Sequence, residues 1–187
     1  MDADDALTPD SLAVRLDVFQ KDENIDFVDG RVEFMDTHSN TISGGFYQPS
    51  FDGKPYEQLL KLNSACFFGP TWMIKRDKTL NYTFDPSFTH SEDIYFFLTI
   101  SKGKIYSYTK QAILNYRKTS SSAMANLDGL EHGYINLLKK CRTELKVKPV
   151  QLMELKLRTA KIMFLSYLFN GKKVFKAIIS PFKMLLA

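Results

Sequence analysis

Residues 25–34 read IDFVDGRVEF, and this stretch decides the fold class. Its Ile, Val and Phe residues are strand formers, and Gly30 inside the run marks a bend. Upstream, Thr8-Pro9-Asp10 predicts a helix start: Thr caps, Pro suits the first turn, and Asp complements the positive end of the helix dipole. Leu12, Val14, Leu16, Val18 and Phe19 carry that helix to about Gln20. Downstream, residues 37–54 read as a polar loop with Gly44-Gly45, Pro49 and Gly53. A short helix over 56–63, a buried strand over 71–75 and a helix over 91–101 capped by Ser91 follow. Residues 104–108 and 112–117 read as two short strands. From Leu127 the pattern is helical, in two or three pieces broken near Pro149, Gly171 and Pro181. Few strands followed by helices predict an α/β front and a helical end, with the boundary between residues 1–125 and 126–187.

A chain of 187 residues is one domain or part of one. With 44% hydrophobic residues, including 15 Phe and 9 Tyr, it has ample material for a core, which excludes general disorder. The net charge of +4 hides an asymmetry: residues 1–36 carry eleven Asp/Glu against three Lys/Arg. No acid follows Glu154, whereas seven lysines and arginines do. Cys66 and Cys141 fit no metal spacing and read as reduced thiols of a cytosolic protein. The acidic start has no signal-peptide pattern, and no stretch reaches the roughly 18 apolar residues of a membrane span.

Three motifs carry the chemistry. Asp2-Ala3-Asp4-Asp5 offers carboxylates at i and i+2 that suit a hard cation such as Mg²⁺ or Mn²⁺; alone, it is a weak signal and reads more readily as an acidic lead-in to a helix. An EF-hand is excluded, because position six would be Leu7 and position twelve Ala13. Glu92-Asp93 opens a helix, where a carboxylate can act as general base or simply cap. Tyr116-Arg117 leaves a strand into the hydroxyl-rich loop of Ser120, Ser121 and Ser122, a pattern that suits phosphate or a hydroxylated substrate and also an ordinary exposed loop.

The order DADDxLxP, then GPTWMIKR, then ED at a helix start, then YR before a Ser-rich loop, resembles glycosyltransferase family 2 over residues 1–124. The resemblance implies a GT-A fold, incomplete here, and inverting sugar transfer from a nucleotide donor to an acceptor hydroxyl. It assigns Asp4 to a divalent cation on the diphosphate, Mn²⁺ or Mg²⁺, and Asp2 to ribose or metal-bound water. Arg117 and Ser120 would meet the donor phosphates. Asp93 would be the catalytic base with Glu92 beside it on the acceptor side, facing the leading aspartates across one cleft. Trp72 would stack on an acceptor sugar; its alternative is a core indole.

Two departures stand out. Thr119 occupies the place where many members carry a His. The family's opening strands and base-holding segment have no counterpart before Met1, so the expectation is a C-terminal portion that alone binds UDP-sugar poorly and turns over none. The basic, apolar tail from Leu152 reads as an amphipathic surface for the inner face of a membrane, which suits a glycan or lipid-linked glycan acceptor, or as helices packed on the domain or a partner. Nucleic acid is disfavoured, because Phe and Ile in the tail suit lipid or protein better than bases. The alternative function is a non-catalytic peripheral membrane or partner-binding module on the same scaffold.

Overall fold

A computed structural model describes residues 3–119 and 126–187. Asp2 and Ser120, with Ser121 and Ser122, lie outside the described residues. The chain is α/β and divides into two compact units, one built on a mixed sheet and one on helices.

The sheet unit is organised by β2 (Phe27–Met35) and β5 (Tyr106–Arg117), which run parallel at its centre. β1 (Ala6–Leu7) pairs antiparallel with the outer edge of β5. β3 (Thr41–Tyr47) and β4 (Met73–Ile74) both pair antiparallel with β2, β4 near its start and β3 near its end. The expected bend at Gly30 is present as a register shift between β2 and β5. Its cause is steric: a β-carbon at Gly30 would stand 2.6 Å from the Ile113 side chain and 2.9 Å from that of Thr109. Only glycine permits so close an approach of neighbouring strands.

Three strand expectations need correction. Residues 41–47 form β3, within the span expected to be loop. Asp36 accepts hydrogen bonds from His38 N and Asn40 N and so closes a tight turn that returns the chain along β2. The Gly44-Gly45 pair that suggested a loop lies on an exposed edge strand, where cross-strand pairing outweighs weak propensity. Residues 106–117 form one strand, since the polar residues 109–111 that suggested a gap sit at the register shift and leave the ladder continuous beyond it. The buried strand expected over 71–75 pairs only at Met73–Ile74.

Helix α1 (Ser11–Lys21) lies on the sheet with Ser11, Val14 and Arg15 inward, leaving Leu12 and Leu16 exposed. Val14 joins Val32, Ile113 and Leu114 in the core, extended by Phe34, Tyr47, Phe68 and Tyr116. Removing each such side chain from water contributes about 1.5–3 kcal/mol. The short helix α2 (Tyr56–Leu60) follows the sheet's outer hairpin.

The helical unit contains α3 (Glu92–Ile100), α4 (Leu127–Thr143), α5 (Pro149–Leu165) and α6 (Val174–Leu186), with a π-helical turn, Ser166–Asn170, extending α5. Leu137, Leu138, Leu155, Met163, Tyr167 and Met184 form its fully buried centre. Asn126 caps α4 by accepting from Gly129 N, and Pro149 occupies the first turn of α5. The break expected near Pro181 is absent: α6 runs through it. Burial of Ala177, Ser180 and Met184 on one face outweighs the single hydrogen bond that proline removes. Among the described residues, no helix is long and apolar enough to cross a membrane.

Candidate functional site

In the sheet unit, two of the sequence motifs meet. Pairing of Ala6 with Asn115 and Leu7 with Leu114 brings the leading acidic segment alongside the end of β5. Thr8 secures that register, its hydroxyl donating to Ala112 O at 2.7 Å. Arg117, the last residue of β5, then donates its backbone N–H to Asp5 Oδ1 at 2.9 Å and its Nε to Asp4 O at 3.0 Å. Its Nη1 donates to Asp36 O (3.0 Å) and Thr37 O (3.1 Å), and its Nη2 to Ser39 Oγ (3.1 Å). The guanidinium thus pins the acidic segment to the β2–β3 turn. Most of its donor fork is engaged by protein oxygens, so its contribution here is positional.

The donor set at this point consists of carboxylates, the hard oxygen ligands that Mg²⁺ and Mn²⁺ prefer. Among the described residues no three acidic, histidine or cysteine side chains converge as a metal cage. A cation shared with a ligand's phosphates needs only one or two carboxylates.

In the helical unit, Glu92 and Asp93 occupy the first turn of α3 and are half-buried. Ser91, at φ 64°, turns the chain into the helix and accepts from Tyr95 N. Asp93 Oδ1 accepts from Ile94 N at 2.7 Å, which holds the carboxylate at the helix's positive end. Burial, and secondarily the Asp93 charge, push the Tyr134 hydroxyl up to about 12. His90 leads into this turn and packs on α4 at Gly129 and Gly133. Its Nε2 is buried and has no hydrogen-bond partner among the described residues.

Trp72 lies in the sheet unit's core, with 7% of its surface exposed. Its ring stands 5.1 Å from Phe27 and 4.8 Å from Tyr106, and its Nε1–H donates to Cys66 O at 2.9 Å. One edge still borders a cleft of about 230 Å³, shared with Leu7, Arg15, Pro70 and Thr71.

Near that cleft lies a buried polar cluster that sequence reading did not single out. Asp29 is fully buried, accepting from Gly30 N at 2.8 Å and from the Tyr106 hydroxyl at 3.2 Å. Desolvation pushes its carboxyl up to about 6, opposed by hydrogen bonds from Thr71, Gly30 and Tyr106 and by the Arg15 charge. Arg15 donates to Ser11 O, Ser11 Oγ and Thr71 O; burial lowers its pKa, while Asp29 opposes that shift. The available signals were an Asp within a run of strand formers and an Arg next to Val14 on α1. Neither is legible until the inward face of α1 is known.

No known protein family matches the chain, and no curated protein does either.

Proposed function

We propose that this chain belongs to an inverting, metal-dependent glycosyltransferase of the GT-A type, moving a sugar from a nucleotide donor to a glycan or lipid-linked glycan in bacterial cell-surface polysaccharide synthesis. One observation carries the reading: the acidic segment at residues 4–5 and Arg117, far apart in sequence, are pinned together at the end of β5. That is where a strand hands over to loops, the usual place for ligand-binding groups in an α/β sheet. Asp2 and Asp4 would hold Mn²⁺ or Mg²⁺, which when bound supplies positive charge against the leaving diphosphate. Asp93 would be the base that takes the proton from the acceptor hydroxyl as its oxygen bonds the anomeric carbon and the carbon–oxygen bond to the diphosphate breaks, releasing the nucleoside diphosphate. Glu92 holds the first turn beside the base. Ser120 and the Arg117 strand end would meet donor phosphate, and Trp72, which borders the cleft, would face an acceptor sugar. The buried thiols of Cys66 and Cys141 suit a reducing cytoplasm, with the acceptor presented at the inner face of the membrane.

A second reading, a non-catalytic binding module on this scaffold, is favoured by the engagement of Arg117 with protein carbonyls. The two are separated with the full-length gene product, a panel of nucleotide sugars, and Mn²⁺ present or absent. Transfer that Asp93→Asn lowers by about 10²–10⁴-fold supports the enzyme. No transfer or donor hydrolysis above that variant, with any donor, leaves the module.

A further inference from the structure

We propose that the paired helices α5 and α6 form a docking face for an anionic phospholipid surface, a role that does not depend on the sugar-transfer reading. α6 buries Ala177, Ser180 and Met184, which recur at helical spacing on one side. At 100° per residue, Phe175, Ile178 and Phe182 fall on the opposite side, where they are 77%, 54% and 61% exposed. Lys176 and Lys183 lie between these faces and donate to Asp128 and Glu131 of α4 at 2.6 and 2.8 Å. They fix which flank of α6 meets α4, and so which face looks away from it.

α5 exposes apolar residues of its own. Lys156 of α5 donates to Leu185 O of α6 at 2.9 Å, positions equally far from the intervening turn, so the two helices run antiparallel. Leu152, Leu155 and Thr159 are buried on one side of α5. Met153 and Leu157, 51% and 56% exposed, fall on the side turned away from them. Both helices thus expose apolar side chains in company with exposed cations, a composition that suits a lipid surface.

Charge selects the partner. Residues 146–187 carry nine Lys/Arg against one Asp/Glu. Arg158, Lys161, Lys172 and Lys173 are exposed, the last two in the turn between the helices. A second copy would bring two cationic faces together. Acidic lipid headgroups meet the lysines while the acyl boundary receives Phe175 and Phe182.

The test is co-sedimentation of the full chain with vesicles of phosphatidylcholine alone, or with about a third phosphatidylglycerol. Binding is expected only with the anionic vesicles. Phe175→Ser combined with Phe182→Ser should weaken it at least ~10-fold with an unchanged circular dichroism spectrum. Lys172→Glu with Lys173→Glu, in the inter-helix turn, should weaken it comparably and carries the test if the first pair misfolds. Failure to sediment, or equal binding by wild type and the folded variants, overturns the proposal. So does a lipid-free dimer that the Phe substitutions dissolve, which assigns the face to a second copy. Capture of an acidic protein that vesicles cannot displace assigns it to a protein partner and likewise overturns the proposal.

Discussion

Asp29 has no solvent-exposed surface, yet its carboxyl stands within a shell of Tyr106, Gly30, Thr71 and Arg15. Desolvation favours its neutral form more than these partners favour the charged one, so the folded protein holds the proton up to about pH 6. In the unfolded chain the same group releases it near the model-peptide value of about 3.9. The raised value means that its contribution to stability is fully present below about pH 4, declines as pH rises to 6, and is constant above. A difference of roughly two units corresponds to about 3 kcal/mol. Asp29→Asn keeps acceptor and donor atoms in place but cannot titrate. Urea denaturation of both proteins from pH 4 to 7 should show the wild type losing about 3 kcal/mol relative to Asp29→Asn across that window. Parallel profiles would mean that Asp29 is ionised throughout. Trp72, the single tryptophan, lies in the same unit and reports the transition by fluorescence.

At the scale of elements, how far sequence reading reached depended on whether the deciding force was local. Gly30 was legible because a lone glycine in a strand implies close backbone approach, and the neighbouring side chain of Ile113 leaves room for nothing else. β3 was not, because Gly44 and Gly45 oppose a strand locally and the pairing with β2 that overrides them is a tertiary fact. On α1 the inward residues are Ser11, Val14 and Arg15 while Leu12 and Leu16 stay exposed, so apolar character alone does not single out Arg15. The approach of the acidic segment to Arg117 could be expected only from the resemblance of the motifs; spacing alone did not dictate it. The glycines of α4 show the same dependence. In a helix interior Gly→Ala ordinarily stabilises by about 1 kcal/mol. A β-carbon at Gly133, however, would stand 2.5 Å from the backbone carbonyl oxygen of His90, which cannot swing away. Gly133→Ala should therefore destabilise by roughly 1–3 kcal/mol, and His90→Ala should not relieve it. At Gly129 the obstruction includes the His90 ring itself, so His90→Ala should recover part of the loss from Gly129→Ala. A double-mutant cycle by thermal denaturation checks both, and equal coupling at the two glycines would contradict this packing.

Over the whole molecule, charge is segregated: acids dominate residues 1–36, and bases dominate residues 146–187. A cation bridging Asp4 and a nucleoside diphosphate would relieve the acidic excess at the end of β5, so donor binding and metal binding should be mutually dependent. This makes a ligand-linked stability shift a sharper test of the proposed function than turnover, which also needs the right acceptor. A ligand that binds only the native state at about 100 times its Kd adds about 2.7 kcal/mol. For a protein of about 150–250 residues that corresponds to a Tm rise of roughly 5–10 °C. The full-length gene product should show such a rise with uridine diphosphate and Mn²⁺ together, and little with either alone. Asp4→Asn should abolish it while leaving the ligand-free Tm unchanged, because the Asp4 contact to Arg117 is made by its backbone carbonyl. A rise that survives Asp4→Asn would locate the nucleotide away from the acidic segment. No rise with any nucleoside diphosphate and metal would remove the donor site, and with it the sugar-transfer reading.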